Sequence, residues 1–361
     1  MLRAAHNAIL IPGGPWVFVK LVVVAFTLAS VVRLIPAPPR FRRGGQRRRG
    51  TLAKTCAVLA CLVVIAGFAV AQLGHGATPQ RARPLSVRPV SVRPASYLGV
   101  FEPGEMDSYQ PVEQFGAAAG HQPDIALYYS GWNDPFQARF AAEAHAHGAM
   151  PFVQINPGDV PMAAVASGEY DPYLRTYAGA VRRYGHPVII SFAGEANGQW
   201  YRWGWTRTSP AMWVAAWRHV VTVFRQAGTR NVIWLWTVNR ESPGMGPLRD
   251  YWPGAAYVTW AGLDGYYFQG STTFAGSFAP TIDTIRSLTR DPILLSEVAI
   301  GPVAGQVAKI PDLFAGIEAY GLLGLVWFDQ AQHGGVYHQD WRLEDDPPAV
   351  AVFRRAAAGY R

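Results

Sequence analysis

Eight short apolar runs recur through the 265 residues from Tyr97 to Arg361, most of them separated by stretches with helical spacing. They lie at Tyr97–Phe101, Ile125–Tyr129, Met150–Ile155, Val188–Phe192, Val232–Thr237, Ala261–Tyr266, Ile293–Ser296 and Gly324–Phe328. Strand patterns alternating with helical ones predict repeated βα units and a parallel sheet. The helical patterns fall at Pro135–His147, Pro172–Tyr184, Pro210–Gln226, Pro280–Thr289 and Ile310–Tyr320. Asp134-Pro135, Asp171-Pro172 and Ser209-Pro210 each set a capping residue before a proline, whose fixed φ suits a first helical turn. Eight strands in about 250 residues are the dimensions of a TIM barrel. No G-x-G-x-x-G follows the first strand, as a dinucleotide-binding sheet would require. The expected fold is α/β, a (β/α)8 barrel over residues 97–361.

Charge divides the chain at the same boundary. Of its 32 Lys and Arg residues, 14 precede Tyr97, where there is no Asp or Glu, so the net charge of +8 is +14 before that point and −6 after it. An acidic barrel disfavours nucleic acid as a partner, which would need a basic face. A basic leader fits a membrane surface. Residues 1–54 read as a basic N-terminal segment, with a possible first membrane span at 15–32. Residues 55–73 read as a transmembrane anchor or a cleavable signal peptide, because CAVLACLVVIAGFAVAQL carries no charge and follows the Arg-rich stretch Arg40–Lys54. A lipoprotein reading of Cys61 is weaker, since most of the apolar core follows that cysteine. Residues 74–96, with two copies of Ser-Val-Arg-Pro, read as an extended linker. Each reading puts the barrel outside the cytoplasm, anchored or secreted. Cys56 and Cys61 are the only cysteines, so the barrel has neither a disulfide nor a thiol nucleophile.

Barrel enzymes collect their reactive groups at the C-terminal ends of the strands. The fourth run ends in SFAGEANGQWYRWGW and the seventh in PILLSEVAIG, which puts Glu195 and Glu297 at two strand tips across one mouth. A single Glu past a strand end is ordinarily a solvated surface group. Two so placed suit glycoside hydrolysis, in which one carboxylic acid protonates the leaving oxygen and a second carboxylate attacks the anomeric carbon. Aromatic residues gather at the same tips: Trp132, Trp200, Tyr201, Trp203, Tyr266 and Trp327. Flat rings pack against pyranose faces, although an aromatic chosen blindly is more often core, and Trp234 and Trp236 read at least partly as core. Asn197 sits among the first group as a polar contact.

The runs GEANGQWYRWG, WRHVVTVFRQAGTRNVIWLWTVN, YVTWAGLDGYYFQG and ILLSEV, in this order and spacing, resemble glycoside hydrolase family 26 in its actinobacterial β-mannanase type. The resemblance covers nearly all of Tyr97–Arg361. It implies that Glu195 is the acid/base and Glu297 the nucleophile. Tyr266 would hydrogen-bond the nucleophile, with Tyr267 as its alternative, Trp327 would lie under the sugar at the cleavage point, and Trp203 and Asn239 would line the cleft. Two departures stand out. Gly194 replaces the family's usual His before the acid/base, a residue that helps bind the sugar beside the scissile bond. Thr237-Val238-Asn239 replaces a Ser-Pro-Asn.

Other polar residues read more plainly. His219 is a packed or capping residue. His145 and His147, two apart on a helix, face different ways. His333 and His338 fall in a loop after the eighth strand, Asp329 beside them is a possible substrate contact, and Glu102 and Glu105 are loop carboxylates. Neither a cofactor nor a metal is expected. The expected function is a retaining glycosidase cleaving β-linked polysaccharide, β-mannan or a related β-glycan, with carboxyl groups about 5–5.5 Å apart. The competing reading is a weakly active or non-catalytic cell-surface polysaccharide-binding protein linked to exopolysaccharide handling. The sequence does not set an oligomeric state.

Overall fold

The computed structural model describes residues 95–360, except 270, 302–304 and 333–338. The readings of residues 1–54, 15–32 and 55–73, all but the last two residues of the 74–96 linker, and His333 and His338 lie outside the described residues. No described helix is long and apolar enough to cross a membrane.

Eight parallel strands close into a barrel in chain order, β1 pairing with β8 from Tyr97–Gly324 to Phe101–Phe328. They are β1 (Tyr97–Phe101), β2 (Ile125–Gly131), β3 (Met150–Asn156), β4 (Val188–Phe192), β5 (Val232–Asn239), β6 (Trp260–Tyr267), β7 (Ile293–Ile300) and β8 (Gly324–Phe328). All eight expected strands form, several of them one to four residues longer at the C-terminal end than the apolar run. Most of the extra residues at those ends are polar, aromatic or small, with Val238, Val298 and Ile300 the exceptions, and in several strands they form the mouth.

The outer helices are α1 (Gln110–Ala119), α2 (Ala138–Ala146), α3 (Met162–Ser167), α4 (Asp171–Tyr184), α5 (Pro210–Gln226), α6 (Phe274–Leu288), α7 (Gln306–Ala319) and α8 (Pro347–Ala357). The β5–β6 connection departs from the expected repeat, carrying a single 3-10 turn, Leu248–Tyr251, in place of a helix. Two short antiparallel strands, β9 (Ala331–Gln332) and β10 (Gln339–Asp340), follow β8.

Capping explains where the helices begin. Ser209 accepts a hydrogen bond from the Met212 N–H, so α5 starts at Pro210 as expected. Trp213, Trp217, Val220, Val221 and Phe224 then fall on one stripe against the barrel. Asp134, read as a cap, instead accepts the Gly131 N–H at 2.7 Å to close the turn after β2, and α2 begins later, at Ala138. Pro280, read as a helix start, lies inside α6. Thr273 caps that helix through the Gly276 N–H, and the buried face of Phe274, Phe278, Ile282 and Ile285 outweighs the hydrogen bond a proline cannot make.

Candidate active site

The end of β4 is built from strained backbone. Ala193 and Glu195 both adopt left-handed φ angles, +47° and +56°, which cost a residue with a Cβ about 1–2 kcal/mol each. The surroundings hold them there. The Trp213 indole N–H donates to the Ala193 carbonyl at 3.0 Å and that of Trp203 to the Gly194 carbonyl at 2.7 Å. The Glu195 N–H donates across to the Thr237 carbonyl. Strain held by neighbours on every side is typical of a pre-organised site. It turns the Glu195 side chain over the mouth, where Asn239 Nδ2 donates to Oε1 and Trp200 Nε1 donates to Oε2 at 3.0 Å.

Glu297 is aimed by a different device. The β6–β7 register shifts between Gly262 and Asp264, and the β7–β8 register between Leu295 and Val298, so β7 is irregular where Ser296 and Glu297 lie. Such irregularities re-aim side chains beside active sites. Ser296 turns inward and donates to Asp264 Oδ1 at 2.6 Å. Gly262 makes the room, because a Cβ there would lie 2.6 Å from the Ser296 hydroxyl. Glu297, partly exposed in a strand otherwise buried, accepts from three donors. They are the Tyr129 hydroxyl and Gln154 Nε2 on Oε1, the latter at 3.3 Å, and the Tyr266 hydroxyl on Oε2 at 2.5 Å.

Electrostatics give the two carboxyls different characters. Burial first, then the charge of Glu297, pushes Glu195 up to about 7, against the weaker pull of its bonds from Asn239 and Trp200. Burial also raises Glu297, but the Tyr129 and Tyr266 hydroxyls hold it down by favouring the anion. Asp264, beside Glu297 in register, is held well above its ordinary range by burial and by both glutamates. The two surroundings differ in kind: Glu297 sits among hydroxyl donors that favour its anion, while Glu195 is lifted by its neighbour's charge as well as by burial, a difference of the sort that acid/base pairs use. A cavity of about 300 Å³ opens beside Tyr266, between Arg240, Phe268, Gln269 and Thr272.

The structure sorts the candidate residues. Glu195, Glu297, Trp200, Asn239 and Tyr266 come together. Tyr267, the alternative to Tyr266, turns away to Asp312. Tyr201 stacks on Trp203 at 4.3 Å, and Trp203 is buried and spent on the Gly194 carbonyl. Trp132 at the tip of β2 is partly exposed and packs on Tyr170, Tyr173 and Phe192.

Three placements are corrections. Asn197 is fully buried and cannot touch a ligand. It exchanges hydrogen bonds with the backbone of Asn239, donating to its carbonyl at 2.7 Å and accepting from its N–H at 3.0 Å, so it positions the Asn239 side chain on Glu195. Trp327 is also fully buried, its ring against Phe353 of α8, because strand alternation turns it away from the mouth. Phe328 is the ring that meets Phe101 and Tyr266. Asp329, the possible substrate contact, is buried as well; Glu102 and Glu105 do fall in the loop after β1, as expected, with their side chains buried.

His219 Nε2 donates to the Asp171 carboxylate at 2.6 Å, a packing role, and His145 stacks on His186. Trp234 and Trp236 are core. Sequence reasoning missed Tyr129, Gln154 and Asp264. Each is a polar residue near the C-terminal end of an apolar run, a signal that is present in the sequence but weaker than that of a carboxylate in the same place.

The model of glycosyl hydrolase family 26 matches residues 176–356, half of the chain, and that span holds both glutamates. The chain belongs to this family. Members of this family are glycosidases, enzymes that hydrolyse O-glycosyl bonds. Endoglucanase H of Acetivibrio thermocellus is 27% identical over 271 residues, which are 70% of this chain and 29% of that protein, so the chain spans less than a third of that relative's length. Among solved structures, the family 26 β-mannanase of Bacteroides ovatus superposes with a TM-score of 0.57 at 16% identity, covering 73% of this chain and 89% of that one. A modular endo-β-1,4-mannanase of Cellulomonas fimi gives 0.57 at 17% identity, over 73% and 70%. At such identities these likenesses speak to the barrel alone.

Proposed function

We propose that this family 26 member is a retaining β-glycanase in which Glu195 is the acid/base and Glu297 the nucleophile. The observation that carries this is the asymmetry between the two carboxyls: Glu297 accepts from three donors, and Glu195 is lifted to about 7 by burial and by its neighbour's charge. Glu297 attacks the anomeric carbon while Glu195 protonates the departing oxygen, which yields a covalent glycosyl-enzyme. Glu195, now the base, takes a proton from water, which displaces the sugar from Glu297 with net retention. Asn239 and Trp200 fix the acid's direction. The exposed ring of Trp200 and the cavity by Tyr266 give room for sugars on a β-linked chain.

The relatives' names favour β-1,4-mannan or β-glucan. Gly194 bears on that choice. Its φ lies outside the left-handed region, but a Cβ there would sit 3.1 Å from the Gln154 side-chain oxygen, so Gln154 crowds the place from which the family's His would project. Substrate preference therefore departs from that of His-bearing members. We further propose that the basic leader and apolar run hold the barrel at the outer face of a membrane, or are cleaved to release it.

The test is product release from β-mannan, β-glucan and β-xylan by the full-length chain, with Glu195→Gln and Glu297→Gln as controls. Cleavage abolished in both variants supports the assignment and names the substrate. Binding of a glycan without turnover by the wild-type chain would favour a polysaccharide-binding role.

A further inference from the structure

A second group of carboxylates, apart from the catalytic pair, lies on the rim formed by β1 and β8. Glu102 follows β1, Asp329 follows β8, and Glu344 lies in the segment after β10. One oxygen from each falls within 4.8 Å of the others. Two of the three side chains are removed from water, Glu102 with 6% of its surface exposed and Asp329 with 1%. Asp329 Oδ1 is occupied by the Trp327 indole N–H at 2.9 Å and the Leu343 N–H at 2.8 Å, while no N–H or hydroxyl group donates to Asp329 Oδ2 or Glu102 Oε1, and Asp329 lies within hydrogen-bond reach only of its fellow carboxyls Glu102 and Glu344 on that side. Among the described residues no Lys, Arg or His pairs with any of the three, and Arg342 nearby is committed to Asp340 and Asp345.

Unpaired buried carboxylates that face one another are costly, and the chemistry that relieves them is protons or a cation. We propose that Glu102, Asp329 and Glu344 form a structural calcium site. Three hard oxygen donors with no nitrogen or sulfur suit an alkaline-earth ion, and a largely buried set of carboxylates suits calcium's flexible shell better than magnesium, which demands a near-ideal octahedron and keeps most of its water. Water completes the coordination on the exposed side of Glu344. The ion joins the ends of β1 and β8 to the C-terminal segment. Phe101 and Phe328, each one residue before a ligand, pack on Tyr129 and Tyr266, the two tyrosines that hold Glu297. The site thus braces the wall behind one half of the catalytic pair without touching substrate.

The experiment is calorimetric titration of calcium chloride, and separately magnesium chloride, into the full-length chain stripped with EDTA, with melting temperatures read alongside. One calcium should bind per chain, at least tenfold tighter than magnesium, and raise the melting temperature. Glu344→Gln changes an exposed residue and leaves the fold intact. It should weaken calcium binding at least tenfold with an unchanged melting temperature in EDTA. Asp329→Asn retains the oxygen that accepts from Trp327 and Leu343. It should abolish the calcium response while melting no lower than wild type in EDTA, because a buried repulsion is relieved. No saturable calcium binding, or binding that both variants retain at full strength, overturns the proposal and leaves the cluster sharing protons.

Discussion

Removing the Tyr266 hydroxyl should separate a nucleophile from a bystander. In the structure that hydroxyl donates to Glu297 Oε2 at 2.5 Å, on the oxygen that Tyr129 and Gln154 do not reach. A hydrogen bond to a charged group contributes about 1.5–3 kcal/mol, and each 1.36 kcal/mol is tenfold in rate. Tyr266→Phe should therefore lower kcat/KM roughly 10- to 150-fold. The pH profile must move as well. The bond favours the ionised carboxylate, so its loss raises Glu297 further above the ordinary range, leaves less anion at a given acidic pH, and shifts the acid limb of the profile to higher pH. The ring and its packing on Trp341 remain, so circular dichroism and melting should show a folded chain. Initial rates from pH 4 to 9 on whichever β-glycan the wild type cleaves are the assay. A loss below about threefold, or an acid limb that moves to lower pH, would refute the nucleophile's assignment and the reasoning about its donors.

Other substitutions probe the remaining parts. Asn239→Ala removes a bond that favours ionised Glu195 and should move the alkaline limb to higher pH, with a fall in kcat. Asn197→Ala touches nothing in the cleft, yet strands the buried N–H and C=O of Asn239. It should cost about 2–4 kcal/mol by denaturant unfolding and lower activity through Asn239. Trp327→Phe loses the indole bonds to Asp329 and the Trp341 carbonyl, so melting temperature should drop while KM stays within twofold of wild type. Glu195 binds a proton more tightly folded than unfolded. Its charge therefore destabilises the fold increasingly as pH rises from the ordinary value of 4.5 to about 7, and fully above that. Glu195→Gln should melt higher than wild type at pH 8, with the gain gone by pH 4.

Much of the architecture is legible in the sequence. The barrel, its eight strands and the two glutamates follow from apolar periodicity, because a parallel strand buried on both faces leaves few places for a carboxylate. The misplaced residues share a cause. Which way a residue points at a strand's end depends on twist, bulges and loop backbone, which a one-dimensional pattern does not carry. Trp327 and Phe328 differ by one position, and that step moves a ring from the cleft to the outer layer. Asn197 reads as a ligand contact because it is polar beside Glu195, while its work is on the Asn239 backbone 42 residues away. Tyr129 and Gln154 do not stand out among carboxylates and tryptophans, although a nucleophile needs donors as much as it needs charge.

The central claim is double displacement through Glu297, and the configuration of the sugar first released tests it most directly. Proton NMR of the earliest product, recorded before the anomers equilibrate, should show the β anomer from a β-linked glycan. An α anomer appearing first would mean single displacement by water and would contradict Glu297 as the nucleophile.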